Sequence, residues 1–413
     1  MVAGMAETSA DTTKEASSGE APVRGETRWP GEATAPAVRL LDHYLAQAAD
    51  SGASDLHFEP SGGRMQVRVR IDGSLRALSP PPRGLESALL TRARLLSRVN
   101  LAERRLPCDG RFRWQGKSSV TLDLRASFLP VDGGEKLVLR LMPGDGRPRP
   151  LEELGMDEAD LALLETTLAR PSGMLVCAGP TGAGKTSTLY SALARLATPR
   201  RATVTVEDPV EMRLDGVTQV QVDDDAGRSF AVVLRSLLRQ DPDVVMIGEM
   251  RDGESAAIAC RAALTGHLVL TTLHTADTLE AVVRLRDMGV ASYLVSATVS
   301  LVVAQRLLRK LCSHCRRQSE PAAHESQLYR ACGLAVPRVL ARAVGCRCCR
   351  GEGYSGRNAV FEVMSREGGI DRPPRRTLMT AALAAAADLR TSFEEAVAAC
   401  PAPHESHAGR PTA

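Results

Sequence analysis

Gly179-Pro180-Thr181-Gly182-Ala183-Gly184-Lys185-Thr186 fills every fixed position of a phosphate-binding P-loop, and the apolar run from Met174 to Cys177 leads into it as a strand. Glycines at this spacing let successive backbone N–H groups point inward at phosphate oxygens, and the helix that follows adds the positive end of its dipole. Lys185 then reaches the β- and γ-phosphates, and the Thr186 hydroxyl is placed to ligate Mg²⁺. Phosphoryl transfer also needs a carboxylate that orients the attacking water. Two apolar strands end in acids: Val204-Thr205-Val206 runs into Glu207-Asp208-Pro209, and Val244 to Ile247 runs into Gly248-Glu249. Ligands of open α/β sheets lie at the carboxyl ends of strands, so both acids are candidates, although an acid after a strand also serves as a helix cap. His267 and His274 bracket the strand Leu268 to Leu273; a histidine there is either a charge stabiliser or a satisfied structural residue. Their odd spacing sends the two side chains to opposite faces of a strand, so at most one faces the nucleotide through it.

A second chemistry is written in cysteine. Cys312-x-x-Cys315 is followed by Cys346-x-x-Cys349, and two such turns bring four thiolates to one centre, the closed tetrahedral set of a structural Zn²⁺. Cys348 and His314 are spare ligands, so the spacing leaves the identity of the binding set open.

These residues need elements to position them. A chain of 413 residues, 44% apolar and 3% aromatic, exceeds a single core and divides into two or three domains of a helix-rich α/β protein. Residues 1–36 hold almost no large apolar side chains and read as a disordered tail. From residue 37 to 142, helical spacing at Leu40, Leu41, Tyr44 and Leu45 gives way to alternating strands, with Asp72-Gly73 as the turn after Val67 to Ile71: a small α+β domain. Residues 143–150 are Pro- and Gly-rich and form the linker. Strands and helices then alternate over 151–370 as in a parallel sheet with crossover helices, and 309–357 hold the cysteine subdomain. Phe230, Val233, Leu234, Leu237 and Leu238 mark an amphipathic helix over one sheet face. Residues 371–413 hold a short Ala-rich helix, Leu378 to Ala399, and a tail. A net charge of +3 does not make a nucleic-acid surface. No apolar run reaches the roughly 20 residues of a membrane helix and the N-terminus carries no signal pattern, so the chain reads as cytoplasmic.

In its ordered motifs the chain resembles the secretion ATPases of type II secretion and type IV pilus assembly, over roughly three quarters of its length. Besides the P-loop with Leu189-Tyr190, the markers are Ser54-Asp55-Leu56-His57-Phe58-Glu59-Pro60, Glu103-Arg104-Arg105-Leu106-Pro107-Cys108-Asp109-Gly110-Arg111, Val206 to Glu211, Arg239 to Asp243, Gly248 to Asp252, and Thr265-Gly266-His267 through Thr275. The resemblance implies a RecA-like P-loop core behind a PAS-like N-terminal domain. It implies that Glu249 is the catalytic carboxylate of an atypical Walker B element, that Glu207 lies in an Asp box, and that His267 and His274 form a His box. It also implies a homo-hexamer in which Arg111, Arg125 and Arg140 reach the nucleotide of a ring subunit, working with inner-membrane platform and assembly proteins. The tetracysteine element with Gly353-Tyr354-Ser355-Gly356-Arg357 occurs in the family's assembly ATPases and is generally absent from retraction ATPases. Two departures are expected: a short tail stands where the family has a docking region, and the C-terminal end reads as a last helix with its predecessors deleted. The function implied is an ATP-hydrolysing motor, cytoplasmic and peripheral at the inner membrane through partners. A pilus-related assembly protein with little hydrolysis and a nucleic-acid motor on the same core are the alternatives; the intact P-loop and acids argue against the first, the modest charge against the second.

Overall fold

The structure is a computed structural model that describes residues 35–116, 120–143, 147–224, 226–366 and 374–400. Residues 1–34 of the expected tail, the 144–146 centre of the expected linker and residues 401–413 lie outside the described residues.

Two sheets organise the chain. The first contains β1 (Asp55–Ser61), β2 (Arg64–Ile71), β3 (Ser74–Leu78), β4 (Cys108–Gln115), β5 (Thr121–Val131) and β6 (Gly134–Pro143), in the antiparallel order β3-β2-β1-β6-β5-β4. Asp72 and Gly73 both adopt positive φ (+48° and +89°), the backbone that a two-residue hairpin between β2 and β3 requires. Period-2 burial along β2 sends Met65, Val67, Val69 and Ile71 into a core shared with α1 (Pro36–Asp50) and α2 (Glu86–Leu96). The other face carries charge, including the arginines singled out above.

The second sheet has seven strands in the order β15-β12-β7-β11-β10-β8-β9, formed by β7 (Gly173–Ala178), β8 (Thr203–Glu207), β9 (Val217–Gln221), β10 (Val244–Ile247), β11 (Leu268–Leu273), β12 (Val299–Leu311) and β15 (Tyr354–Ser365). Six run parallel and β15 closes one edge antiparallel to β12. β7, β10 and β11 are buried along their whole length, as continuous apolar strands covered on both faces must be. One face packs against α3 (Glu158–Ala169) and α4 (Lys185–Leu196). The other packs against α5 (Phe230–Leu237), α6 (Gly253–Leu264), α7 (Thr278–Asp287) and α8 (Ser292–Thr298). In α5 it is Phe230, Val233, Leu234 and Leu237 that are buried, the stripe expected from spacing. The arrangement is the α/β P-loop core anticipated, beside a smaller α+β unit.

The cysteine element interrupts β12 and β15 with β13 (Arg317–Ser319), α9 (Ala323–Ala331) and β14 (Leu340–Arg342). One expectation changes at the C-terminal end. The Ala-rich segment is two helices, α10 (Leu378–Ala387) and α11 (Phe393–Ala399), because Leu389 turns to φ +58° and Arg390 N–H bonds back to the Ala385 carbonyl. Both helices enter the core of the large sheet through Leu378, Leu383 and Phe393. Glu362 of β15 accepts from the Thr278 N–H at 3.0 Å and the Leu378 N–H at 2.9 Å, so one buried carboxylate caps α7 and α10 together.

Candidate functional site

The P-loop joins β7 to α4 at the carboxyl end of the parallel strands. Gly184 stands at the start of α4 with φ +91°, and Gly179 has φ +149°. A Cβ on Gly179 would lie 2.8 Å from the Gln305 carbonyl oxygen, so the loop's tight approach to β12 requires glycine there. Lys185, 7% exposed, donates from Nζ to the carbonyls of Gly179 at 2.6 Å and Pro180 at 3.0 Å. Burial pulls its pKa below the ordinary lysine value and the nearby Glu249 charge pulls the other way. Thr186 follows on the first turn of α4, half-buried.

Glu249 sits just past β10, two strands from the P-loop, because β7, β11 and β10 are neighbours in parallel register. His274 Nε2 lies 3.4 Å from one Glu249 oxygen, and Arg251 pairs with the other. Arg251 also reaches Asp208 at 3.3 Å. The carboxylate, 21% exposed, is thus held at the strand ends with access to solvent. The Thr272 hydroxyl ties β11 to the Gly248 carbonyl at 2.8 Å, fixing the backbone that carries Glu249.

Two sequence candidates are placed differently. Glu207 is 3% exposed, and its oxygens accept from Tyr190 OH, Thr205 Oγ1 at 2.5 Å and Gln219 Nε2 at 3.1 Å. Both oxygens of this buried carboxylate already accept from protein donors, an arrangement that ties α4, β8 and β9 together. His267 lies before β11, whose first residue pairs with Gly173 at the amino end of β7, and its Nδ1 contacts the Ala262 carbonyl at 3.0 Å. Seven residues of strand, about 23 Å, separate it from His274, so within one chain His267 cannot reach the P-loop. The two histidines are therefore separated end to end along the strand and not only by the face they occupy.

The three arginines are cross-strand partners: Arg111 opposes Arg125, and Arg125 opposes Arg140. They line a cleft of about 510 Å³ between the two sheets, with Asp55, Asp208 and Gln221 on its walls. Arg125 donates to the Val210 carbonyl at 3.0 Å and Arg140 to Asp55 at 3.1 Å. Burial, then repulsion from Arg111, lowers the Arg125 pKa. Three guanidinium groups side by side, with only Arg140 paired directly to a carboxylate in this row, make the wall beside the Asp208 loop anion-attracting.

Gln305 and Tyr190 carry parts of the site that motif reading left unassigned. Gln305, 1% exposed on β12, donates from Nε2 to the Ala183 carbonyl at 2.7 Å and accepts from Thr188 Oγ1 at 2.9 Å, buttressing the P-loop from beneath. The available signal was a lone amide directly after the apolar run Leu301 to Ala304.

Cys312, Cys315, Cys346 and Cys349 converge with all sulfurs within 4.8 Å of one another; the 312–346, 315–349 and 346–349 separations are 3.9, 3.7 and 3.7 Å. Tetrahedral Zn–S bonds of about 2.3 Å imply S–S edges near 3.8 Å, so the four sulfurs fit that ion. The backbone N–H groups of Gly345, Cys346 and Gly353 point at the sulfurs of Cys315, Cys349 and Cys349, at 3.3, 3.1 and 3.2 Å. Such donors stabilise thiolate ligands. Cys348 is exposed, and neither it nor His314 is among the four converging ligand atoms.

Comparison with known proteins agrees with this construction. The family described as Type II/IV secretion system protein matches residues 31–399. The chain is 44% identical over 329 residues to type II secretion system protein HxcR of Pseudomonas aeruginosa, covering 80% of this chain and 66% of that one. It is 44% identical over 333 residues to the type IV pilus assembly ATPase PilB of Acinetobacter baylyi, covering 80% of this chain and 57% of the relative. The chain therefore spans between about half and two thirds of the length of these relatives. In fold it is similar to the Legionella pneumophila ATPase DotB (TM-score 0.64, 19% identity, 87% of this chain and 94% of that one). The pilus retraction motor PilT is also similar (TM-score 0.59, 24% identity, 88% and 97%). No helix among the described residues is long and apolar enough to cross a membrane. With a match across nearly its whole length, the chain belongs to the type II/IV secretion system protein family.

Proposed function

We propose that this chain is an ATP-hydrolysing motor that powers assembly of a type II secretion pseudopilus or a type IV pilus, by coupling hydrolysis to movement between its two sheets about residues 143–150. The observation that supports it most is Glu249: a partly exposed carboxylate at the strand ends beside the P-loop, oriented by His274 and Arg251. Glu249 prepares the attacking water, Lys185 leaves the loop carbonyls for the β- and γ-phosphates, and His274 balances developing charge. The Thr186 hydroxyl would hold Mg²⁺, which supplies charge neutralisation across the β- and γ-phosphates. Arg111, Arg125 and Arg140 receive phosphate charge from the cleft side. Glu207 positions neighbouring groups and does not touch the water.

The proposed working form is a homo-hexamer, cytoplasmic and bound at the inner membrane through platform and assembly proteins, with Zn²⁺ held by the four cysteines. Support comes from the secretion and pilus relatives and from the sulfur geometry. A phosphate-release assay on the purified chain tests the chemistry. Glu249→Gln is expected to abolish turnover while a fluorescent ATP analogue still binds; undiminished turnover would refute the assignment.

A further inference from the structure

Tyr190 lies five residues into α4, 1% exposed, on the helix whose first residue is Lys185. Its hydroxyl donates to Glu207 and accepts from the backbone N–H groups of Glu211 at 3.2 Å and Met212 at 3.3 Å. A phenolic oxygen offers one donor and two lone pairs, and here all three are in use. Burial, then the charge of Glu207, pushes its pKa up, so the donor is retained at every physiological pH. Gln219 completes the anchorage by donating to the Met212 carbonyl and accepting from the Leu214 N–H, both at 2.9 Å.

The anchored segment has an unusual set of neighbours. Val210 gives its carbonyl to Arg125 across the interdomain cleft, and Asp208 pairs with Arg251, which in turn pairs with Glu249. One hydroxyl therefore joins the P-loop helix to the loop that contacts both the arginine row and the carboxylate partner. Among the hydrogen bonds described for residues 208–214, only those of Tyr190 run directly to α4.

We propose that Tyr190 is a positioning residue for phosphoryl transfer: its hydroxyl fixes loop 208–214 to the P-loop helix, and so sets where Arg125 and the Arg251–Glu249 pair stand relative to the phosphates. The inference rests on the ATPase reading above. A group acting this way alters the transition-state arrangement more than substrate binding, because Lys185 and the P-loop amides remain in place.

Tyr190→Phe removes the hydroxyl and keeps the packed ring. In the full chain, hydrogen exchange of peptides covering 208–214 is expected to rise about tenfold without nucleotide, while peptides covering 173–178 keep wild-type protection. Turnover should fall about tenfold with the ATP KM changed by no more than about twofold, and Tyr190→Phe should slow Arg125→Ala by clearly less than that tenfold, because the route through Arg125 is already lost while the route through Arg251 and Glu249 remains. Wild-type protection of 208–214 in Tyr190→Phe, or losses that multiply in the double variant, would overturn the proposal. An inactive wild-type chain would instead overturn the ATPase reading, and the exchange measurement would still decide whether Tyr190 anchors the loop.

Discussion

Replacing Gln305 by Leu tests whether the P-loop is held from beneath by a side chain outside its motif. The substitution roughly preserves volume and removes two hydrogen bonds, to the Ala183 carbonyl and from the Thr188 hydroxyl. They do not count equally. Thr188 lies on α4, and its hydroxyl can turn to the carbonyl one turn earlier, as threonine does within helices. The Ala183 carbonyl has no comparable substitute, since it faces the part of β12, residues 299–305, that is continuously buried. One unsatisfied buried acceptor costs about 1–3 kcal/mol. Fluorescence would not see this, because both tryptophans, Trp29 and Trp114, precede the large sheet in the chain. Hydrogen exchange will: if the loss falls on local opening of the loop, amides in peptides spanning 179–188 exchange faster by about 5- to 150-fold, the factor corresponding to that energy. Gln305→Glu should exceed Gln305→Leu, because it keeps no donor and buries a charge. Exchange within twofold of wild type for Gln305→Leu would refute the buttress.

Native mass spectrometry should find one zinc per chain, lost in Cys315→Ser and kept in Cys348→Ser; the reverse pattern would place the metal elsewhere. Acid should loosen the cysteine subdomain. The hydrogen bond from Arg342 holds the buried Glu325 carboxyl below its ordinary value, so its contribution is full above the unfolded pKa and is lost as pH falls through the depressed folded one. Protection of α9 peptides should fall over that acidic window in wild type and change less in Glu325→Gln, which is already destabilised at neutral pH; identical acid profiles would remove Glu325 as the cause.

Much of the nucleotide site was legible from residue order because its chemistry is local. A P-loop needs glycines, a lysine and a hydroxyl within eight positions, and an acid at the end of an apolar strand is placed by sheet geometry alone. The row Arg111, Arg125 and Arg140 was visible only through resemblance, since nothing in their spacing of 13 and 14 intervening residues announces that they are register partners. Glu207 illustrates the opposite limit: its position at a strand end is local, but whether its oxygens are free depends on Tyr190, Thr205 and Gln219, which three different elements supply. The same holds at the C-terminal end, where alanine-rich composition favours one helix and the break at Leu389 comes with its packing against β12 and β14.

What the chain alone determines is therefore the inventory: a nucleotide loop, an acid to serve it, four sulfurs in two tight pairs, and an α/β alternation able to carry them. Those follow from short-range spacing and hydrophobic period. The tertiary structure decided which of these groups meet. Parallel register sent His274 toward Glu249 and left His267 at the far end of the same strand. Convergence of two distant turns selected four sulfurs and excluded Cys348. A glutamine from β12 and a tyrosine from α4 became parts of the site because burial obliges every polar atom to find a partner, and the available partners were the P-loop and the loop beside it.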